Sequence, residues 1–295
     1  MRAVVIRDGR LVIEERPEPV AGDGELLVRV HAAGVNNADL LQRAGHYPPP
    51  PGAPEDIPGL ECAGEVVPTG ERVMALLGAG GQAELVTVNA QHVLPLPDAV
   101  DWAVGGGFIE AYATAHDALF TQGELRPGER LLVNGAAGGV GTAAVQLGVA
   151  AGAEVTGTAR SNADRVAALG AATEIDGEYD VILELVGGDN LTAGVARLAP
   201  RGRLVVIGTG AGRRAEIDFG LVMHKRARIQ GSTLRSRSPE EKAQVVERLG
   251  TEVLPLLTAG LVTVPVHATF PLERAEDGYA EFAKGGKFGK LVLLA

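Results

Sequence analysis

At 295 residues, 46% hydrophobic and 22% charged, the chain is long for one core and comfortable for two domains of ordinary size. Its 37 acidic residues outweigh 27 basic ones, a formal charge of −10, and no basic block is present, so binding to nucleic acid or to an anionic membrane surface is not expected. The one cysteine, Cys62, excludes an internal disulfide framework and any structural zinc site built on several thiolates.

The chain turns charged after four apolar residues at its start, too few for a secretory signal, and no apolar run reaches the roughly 20 residues of a spanning helix. A cytoplasmic protein is expected. The first hundred residues read as β-rich. Ala3–Ile6 and Leu11–Ile13 flank Asp8-Gly9, a hairpin signal. A strand over Glu25–Ala32 is followed by a short polar helix over Asn37–Ala44. The proline-rich tract His46–Pro58 suits neither helix nor central strand and reads as a stiff surface loop. Further short strands fall near Glu65–Val67, Val73–Ala75 and Ala83–Val88.

From Trp102 onward strand and helix alternate. Leu131–Asn134, Glu154–Thr158, Val181–Glu184 and Arg203–Gly208 read as strands, and Gly139–Ala151, Asn162–Leu169 and Leu191–Leu198 as helices. This alternation predicts an α/β fold with a doubly wound parallel sheet. A long helix is expected from Pro239 to Ala259. Short strands and one helix, Leu272–Ala283, fill the remainder. The organisation expected is a β-rich domain of residues 1–107 and 254–295, interrupted by an α/β domain over 108–253.

The loop after Leu131–Asn134 reads Gly-Ala-Ala-Gly-Gly-Val-Gly over residues 135–141 and runs straight into a helix. From Ala136 it is A-x-G-x-x-G, a variant of the dinucleotide fingerprint. Gly138 lets the backbone approach a diphosphate and Gly141 lets helix and strand pack closely. The N–H groups of Ala137, Gly138, Gly139, Val140 and Gly141 offer themselves to phosphate. An NAD site expects an acid about 20 residues on, for the ribose 2′-hydroxyl. The chain has Thr158-Ala-Arg-Ser161 there, and the Arg160 guanidinium suits a 2′-phosphate, so NADPH is favoured over NADH. Asp164 opposes a phosphate, Arg165 can offset it, and a solvated loop cation is the plain alternative for Arg160.

The runs Gly34–Pro54, Pro58–Val66, Ala136–Gly141, Gly231–Ser238 and Gly289–Leu293 resemble the zinc-independent quinone oxidoreductases of the medium-chain dehydrogenase/reductase superfamily, in the same order along the chain. The resemblance implies a GroES-like β-rich catalytic domain around a Rossmann domain, with the active site in the cleft between them. Zinc-dependent members of that superfamily place Cys and His after the Gly-Val pair and a His before the Glu of Pro-Gly-His-Glu. The matching positions here are Asn36, Asn37 and Leu60, Glu61 alone cannot hold zinc, and the six histidines lack ligand spacing, so no metal is expected. Without a Lewis acid, alcohol oxidation is difficult, whereas hydride transfer from NADPH to a quinone or enone asks less of the protein.

By resemblance, Asn36, Asp39 and Tyr47 line the substrate side. Tyr47 either donates a hydrogen bond to the reducing carbonyl, stacks on a quinone, or simply packs the proline loop, and Asp39 caps or orients. The resemblance also assigns Thr114, Gly138–Gly141, Arg160, Ser161, Gly208 and Phe288 to the cofactor, with Thr158 at the end of the strand that leads to Arg160. Two departures stand out: relatives often carry Lys where Asp164 stands, and the stretch Ala171–Tyr179 is short, which trims the wall of the adenosine site. The expected activity is NADPH-dependent quinone reduction on a small-molecule substrate. The alternatives are an enoyl or 2-alkenal reductase on the same scaffold, and a crystallin-like cofactor binder with little turnover. A homodimer is expected through the last strand of the parallel sheet, Ala227–Ser232.

Overall fold

Asp8 and Gly9 both take positive φ, 48° and 74°, and across that two-residue turn β1 (Arg2–Arg7) folds back antiparallel onto β2 (Arg10–Glu15). The structure, a computed structural model, describes residues 1–295 as two units. The first takes Met1–Ala113, Leu234–Gly285 and Lys290–Ala295, and the second takes Thr114–Thr233 and Gly286–Gly289. In the first, β3 (Glu25–Val35) leads into α1 (Asn37–Arg43), and β4 (Glu61–Val67), β5 (Arg72–Leu76), β6 (Leu85–Asn89) and β7 (Val93–Pro95) follow. The proline-rich stretch between α1 and β4 forms no helix or strand, as predicted. Alternation along these strands turns Val28, Val30, Cys62, Val66, Val73, Val86 and Val88 into one buried cluster. Two helices close this part, α2 (Trp102–Gly106) and α3 (Ile109–His116).

The second unit is the predicted βα alternation. A π-helical turn at Asp117–Gln122 precedes β8 (Arg130–Asn134), α4 (Gly139–Ala150), β9 (Glu154–Thr158), α5 (Ala163–Ala167), β10 (Tyr179–Glu184), α6 (Asp189–Arg197), β11 (Leu198–Val206), α7 (Phe219–Lys225) and β12 (Arg228–Gly231). Its five strands are parallel in the order β12-β11-β10-β8-β9. Beyond β9 a single residue, Ala172, bridges to Thr156. Buried Arg203 ties the amino ends of this sheet: it donates to the carbonyls of Gly123, Glu124 and Asp180 and, bidentately, to Glu129 at 3.0 and 2.7 Å.

The chain then rejoins the first unit. Ser238 and Glu241 cap α8 (Pro239–Glu252) reciprocally. The long helix expected to Ala259 is broken instead. Val253, at φ −116° and ψ −37°, caps the end of α8 and the start of the next helix, and Pro255, which has no N–H to donate, stands in the first turn of that separate α9 (Leu254–Thr258). After β13 (Val266–Pro271), the helix expected at Leu272 begins three residues later as α10 (Ala275–Lys284), because Leu272–Arg274 winds as a 3₁₀ turn. Finally β14 (Lys290–Leu294) pairs antiparallel with β3 and parallel with β13, completing a seven-stranded sheet. No helix is long and apolar enough to cross a membrane.

Candidate functional site

In the second unit the sheet order places β9 on one side of β8 and β10 on the other, so the loop leaving β8 stands at the point where the winding reverses. That loop is the predicted fingerprint. Gly138 is the N-cap of α4, and no side chain caps the helix, which leaves its first N–H groups to a ligand. At Gly141 a Cβ would stand 2.7 Å from the Ala136 Cα, so only glycine lets α4 start this close to β8. At Gly138 the nearest atom to such a Cβ is the Gly135 oxygen at 3.6 Å: glycine there leaves an open face rather than relieving a collision. Ala137, Gly138, Gly139 and Val140 are all partly accessible. A diphosphate fits this cradle.

The neighbouring strand ends are locked together. Thr158 Oγ1 donates to Asn134 Oδ1 at 3.0 Å, Asn134 Nδ2 donates to Glu184 Oε2 at 2.7 Å, and Glu184 Oε1 accepts the N–H groups of Val186 and Gly187, each at 2.7 Å. This chain of bonds fixes the carboxyl ends of β9, β8 and β10 beneath the fingerprint. Asn134 and Glu184 were not singled out in the sequence, where their signal is a polar residue closing a buried apolar run. Gly208 follows β11, its N–H bonded to the Glu184 carbonyl, and a Cβ there would come within 2.7 Å of the Leu185 carbonyl carbon. Thr114 lies half-buried on α3.

Arg160 and Ser161 are exposed just beyond β9. Arg165 instead sets its guanidinium 4.1 Å over the buried ring of Phe288. The segment 286–289 is drawn onto the loop by Gly289 N–H donating to the Ala137 carbonyl at 2.8 Å, and Asn162 Nδ2 donates to the Gly286 carbonyl at 2.9 Å. Phe288 and the fingerprint are therefore neighbours, although about 150 residues separate them in the chain.

The substrate-side residues lie in the first unit. Asn36 is the N-cap of α1, and its N–H donates to Asp39 Oδ2 at 2.7 Å, while Asp39 Oδ1 accepts the Gly59 N–H at 3.0 Å. Asp39 is fully buried. Burial pushes its carboxyl up to about 7, against the pull of those two N–H groups and of the positive charges of Lys290 and Arg235. The Asn36 side chain is locked at both ends: Nδ2 donates to Glu61 Oε1 at 3.0 Å and Oδ1 accepts from Lys290 Nζ at 2.7 Å. Lys290 also bonds Glu61 Oε1 at 2.5 Å, and the Glu110 N–H reaches Glu61 Oε2 at 3.0 Å. Gly34 makes the room, since a Cβ there would lie 2.7 Å from the Gly106 carbonyl and collide with the Glu61 carboxylate. A zinc ion does not fit these residues. The one carboxylate is already bound by an ammonium, Leu60 is apolar, and two amides occupy positions 36 and 37. Cys62 offers no thiolate, because burial, and then the neighbouring Glu61 charge, push it up to about 12.

Tyr47 follows α1 and is half-buried. Its carbonyl accepts from Arg235 Nη1 at 2.8 Å, and its ring centre lies 4.8 Å from the guanidinium carbon. Neither Lys290 nor Arg235 was assigned a role from the sequence, although both stand in the runs Gly289–Leu293 and Gly231–Ser238 that carry the resemblance.

Residues 22–98 match the family model of the alcohol dehydrogenase GroES-like domain, and residues 154–293 match that of a zinc-binding dehydrogenase. A quinone oxidoreductase of Mus musculus is 31% identical, over 94% of this chain and 91% of its own length. A solved quinone oxidoreductase from Thermus thermophilus, also determined in complex with NADPH, is 32% identical with a TM-score of 0.87, covering 100% of both chains. An alcohol dehydrogenase superfamily protein from Novosphingobium aromaticivorans superposes with a TM-score of 0.89 at 25% identity, over 100% of this chain and 99% of its own. Fold, fingerprint and sequence agree: the chain is an oxidoreductase of the medium-chain dehydrogenase/reductase superfamily and belongs to its quinone oxidoreductase branch.

Proposed function

We propose that the protein carries hydride from NADPH to a quinone without a metal and releases the hydroquinone. The observation that carries this reading is the buried Lys290–Glu61 pair, which gives the one carboxylate beside Asn36 and Leu60 an ammonium for its cation. Oxidising an alcohol requires a partner for the developing alkoxide. A quinone spreads the incoming charge over its own conjugated system and needs less. Bound NADPH supplies the hydride, and one proton from solvent completes the hydroquinone.

The chain's own residues bind and orient. The N–H groups at the start of α4, from Gly139 to Gly141, take the diphosphate over the open face at Ala137 and Gly138, and Arg160 with Ser161 reads the 2′-phosphate. Thr114, Thr158, Gly208 and Phe288 complete the cofactor surface. On the substrate side the Tyr47 hydroxyl donates to the carbonyl that gains charge, Asn36 faces the acceptor with an amide whose rotation is blocked, and Asp39 holds the Asn36 backbone. The NADPH complex of the relative that is 32% identical supports the choice of cofactor. β12 pairs with β11 alone, and a second copy of the chain covering that open edge makes a homodimer, which light scattering would detect as a doubled mass. The reading is tested by NADPH and NADH oxidation over a panel of quinones and 2-alkenals. Faster turnover of quinones with NADPH supports it. Turnover of alkenals alone, or of no acceptor, overturns it.

A further inference from the structure

Arg235 is 4% exposed, yet all three of its hydrogen bonds go to neutral oxygens: Nε to the Gly78 carbonyl at 2.8 Å, Nη1 to the Tyr47 carbonyl at 2.8 Å, and Nη2 to Gln42 Oε1 at 2.5 Å. Burying a guanidinium on neutral acceptors is costly, and an aliphatic side chain would fill the same space without that penalty. What an aliphatic residue cannot do is hold three separate segments at fixed angles. The planar fork of an arginine can, and its face can also rest on an aromatic ring.

The three segments are the end of α1, the start of the proline run and the turn after β5. Each is fixed in turn by a second contact. Gln42 Nε2 donates to the Glu55 carbonyl at 3.0 Å, which leaves Oε1 as the only atom it can present to Arg235. Gly78 presses so closely on the run that a Cβ would stand 2.7 Å from Pro50 Cγ. The Tyr47 carbonyl and the Tyr47 ring are both engaged by the same guanidinium, so main chain and side chain are set together. Fixing both ends of one residue is what a positioning role requires, and bulk packing would not need it.

We propose that Arg235 is the positioning residue of Tyr47: it fixes the height and tilt of the phenol and so the place where the acceptor's carbonyl is held. Arg235 touches no reacting atom and works only through Tyr47. The proposal rests on the reading that Tyr47 meets the acceptor, and the two are separable by experiment.

The test is a double-mutant cycle with Arg235→Lys and Tyr47→Ala, following quinone reduction at saturating NADPH. Lysine keeps the charge, but its ammonium is one compact point and cannot spread its donors in the fixed plane that reaches all three segments and rests on the ring. Arg235→Lys should lower kcat/KM about tenfold in the natural background and less than twofold in the Tyr47→Ala background, with NADPH affinity unchanged throughout. Gln42→Met, which removes one acceptor and keeps the volume, should cost about threefold and show the same dependence on Tyr47. It carries the cycle if Arg235→Lys does not fold. Losses that multiply with Tyr47→Ala in either cycle overturn the proposal, as does an Arg235→Lys enzyme of natural activity. A Tyr47→Ala enzyme with unchanged kinetics overturns the reading of Tyr47 itself and the proposal with it.

Discussion

Lys290→Met removes the ammonium from Glu61 and leaves a carboxylate with 0% exposure, bonded only by the Glu110 N–H and Asn36 Nδ2. The methionine stem still fills the space beside Gly107, where a Cβ would lie 3.2 Å from the lysine's own carbons, so packing changes little and the lost charge dominates. Breaking a buried ion pair costs about 3–5 kcal/mol. The two remaining donors place the expectation at the lower end, about 3 kcal/mol, a large share of a domain's usual stability of about 5–15 kcal/mol. Glu61→Gln should cost a similar amount by stranding the ammonium. The double variant should cost only about 1–2 kcal/mol, because neither charge is then left without its partner. Urea unfolding followed by tryptophan fluorescence reads this directly. The one tryptophan, Trp102, lies in the same unit, stacked on His31 at 4.4 Å with Arg72 4.3 Å from its ring. Single variants each losing under 1 kcal/mol, or a double variant as unstable as the sum of the two, would refute the view that this pair is a mutually dependent buried cluster.

Arg160→Ala should weaken NADPH by about 1–3 kcal/mol in a fluorescence titration and leave NADH nearly unchanged, and equal loss for both would remove Arg160 from the phosphate. Tyr47→Phe should slow quinone turnover about tenfold to a hundredfold with NADPH affinity intact, whereas an unchanged rate would take the hydroxyl out of the mechanism. The Asp39 carboxyl, raised from its ordinary 3.8 to about 7 in the fold, gives stability that is fully present below about pH 4 and is lost as pH rises through 7. Relative to the natural protein, Asp39→Asn should therefore gain up to about 4 kcal/mol between pH 4 and 8 in urea unfolding, and a difference that stays flat with pH contradicts the raised carboxyl.

The parts legible in the sequence are those written in neighbouring residues. The hairpin at Asp8-Gly9, the strand–loop–helix around Gly138 and Gly141, and the parallel order of the α/β unit follow from turn chemistry and apolar period. The break at Val253 was not legible, because the apolar spacing continues through it and only Pro255 marks the change. Lys290 meets Glu61 from 229 positions away, and Arg235 meets Gln42 from 193. No local pattern carries such pairs. A charged residue inside the strand Lys290–Leu294 was the one visible sign that a cation enters the core.

The most direct test of metal-free hydride transfer is NADPH-dependent quinone reduction by protein stripped with a strong chelator, its metal content measured in the same sample. An unchanged rate with far less than one zinc per chain is expected, since the carboxylate of Glu61 is held by Lys290. Stoichiometric zinc whose removal abolishes the activity, and whose return restores it, would contradict metal-free transfer.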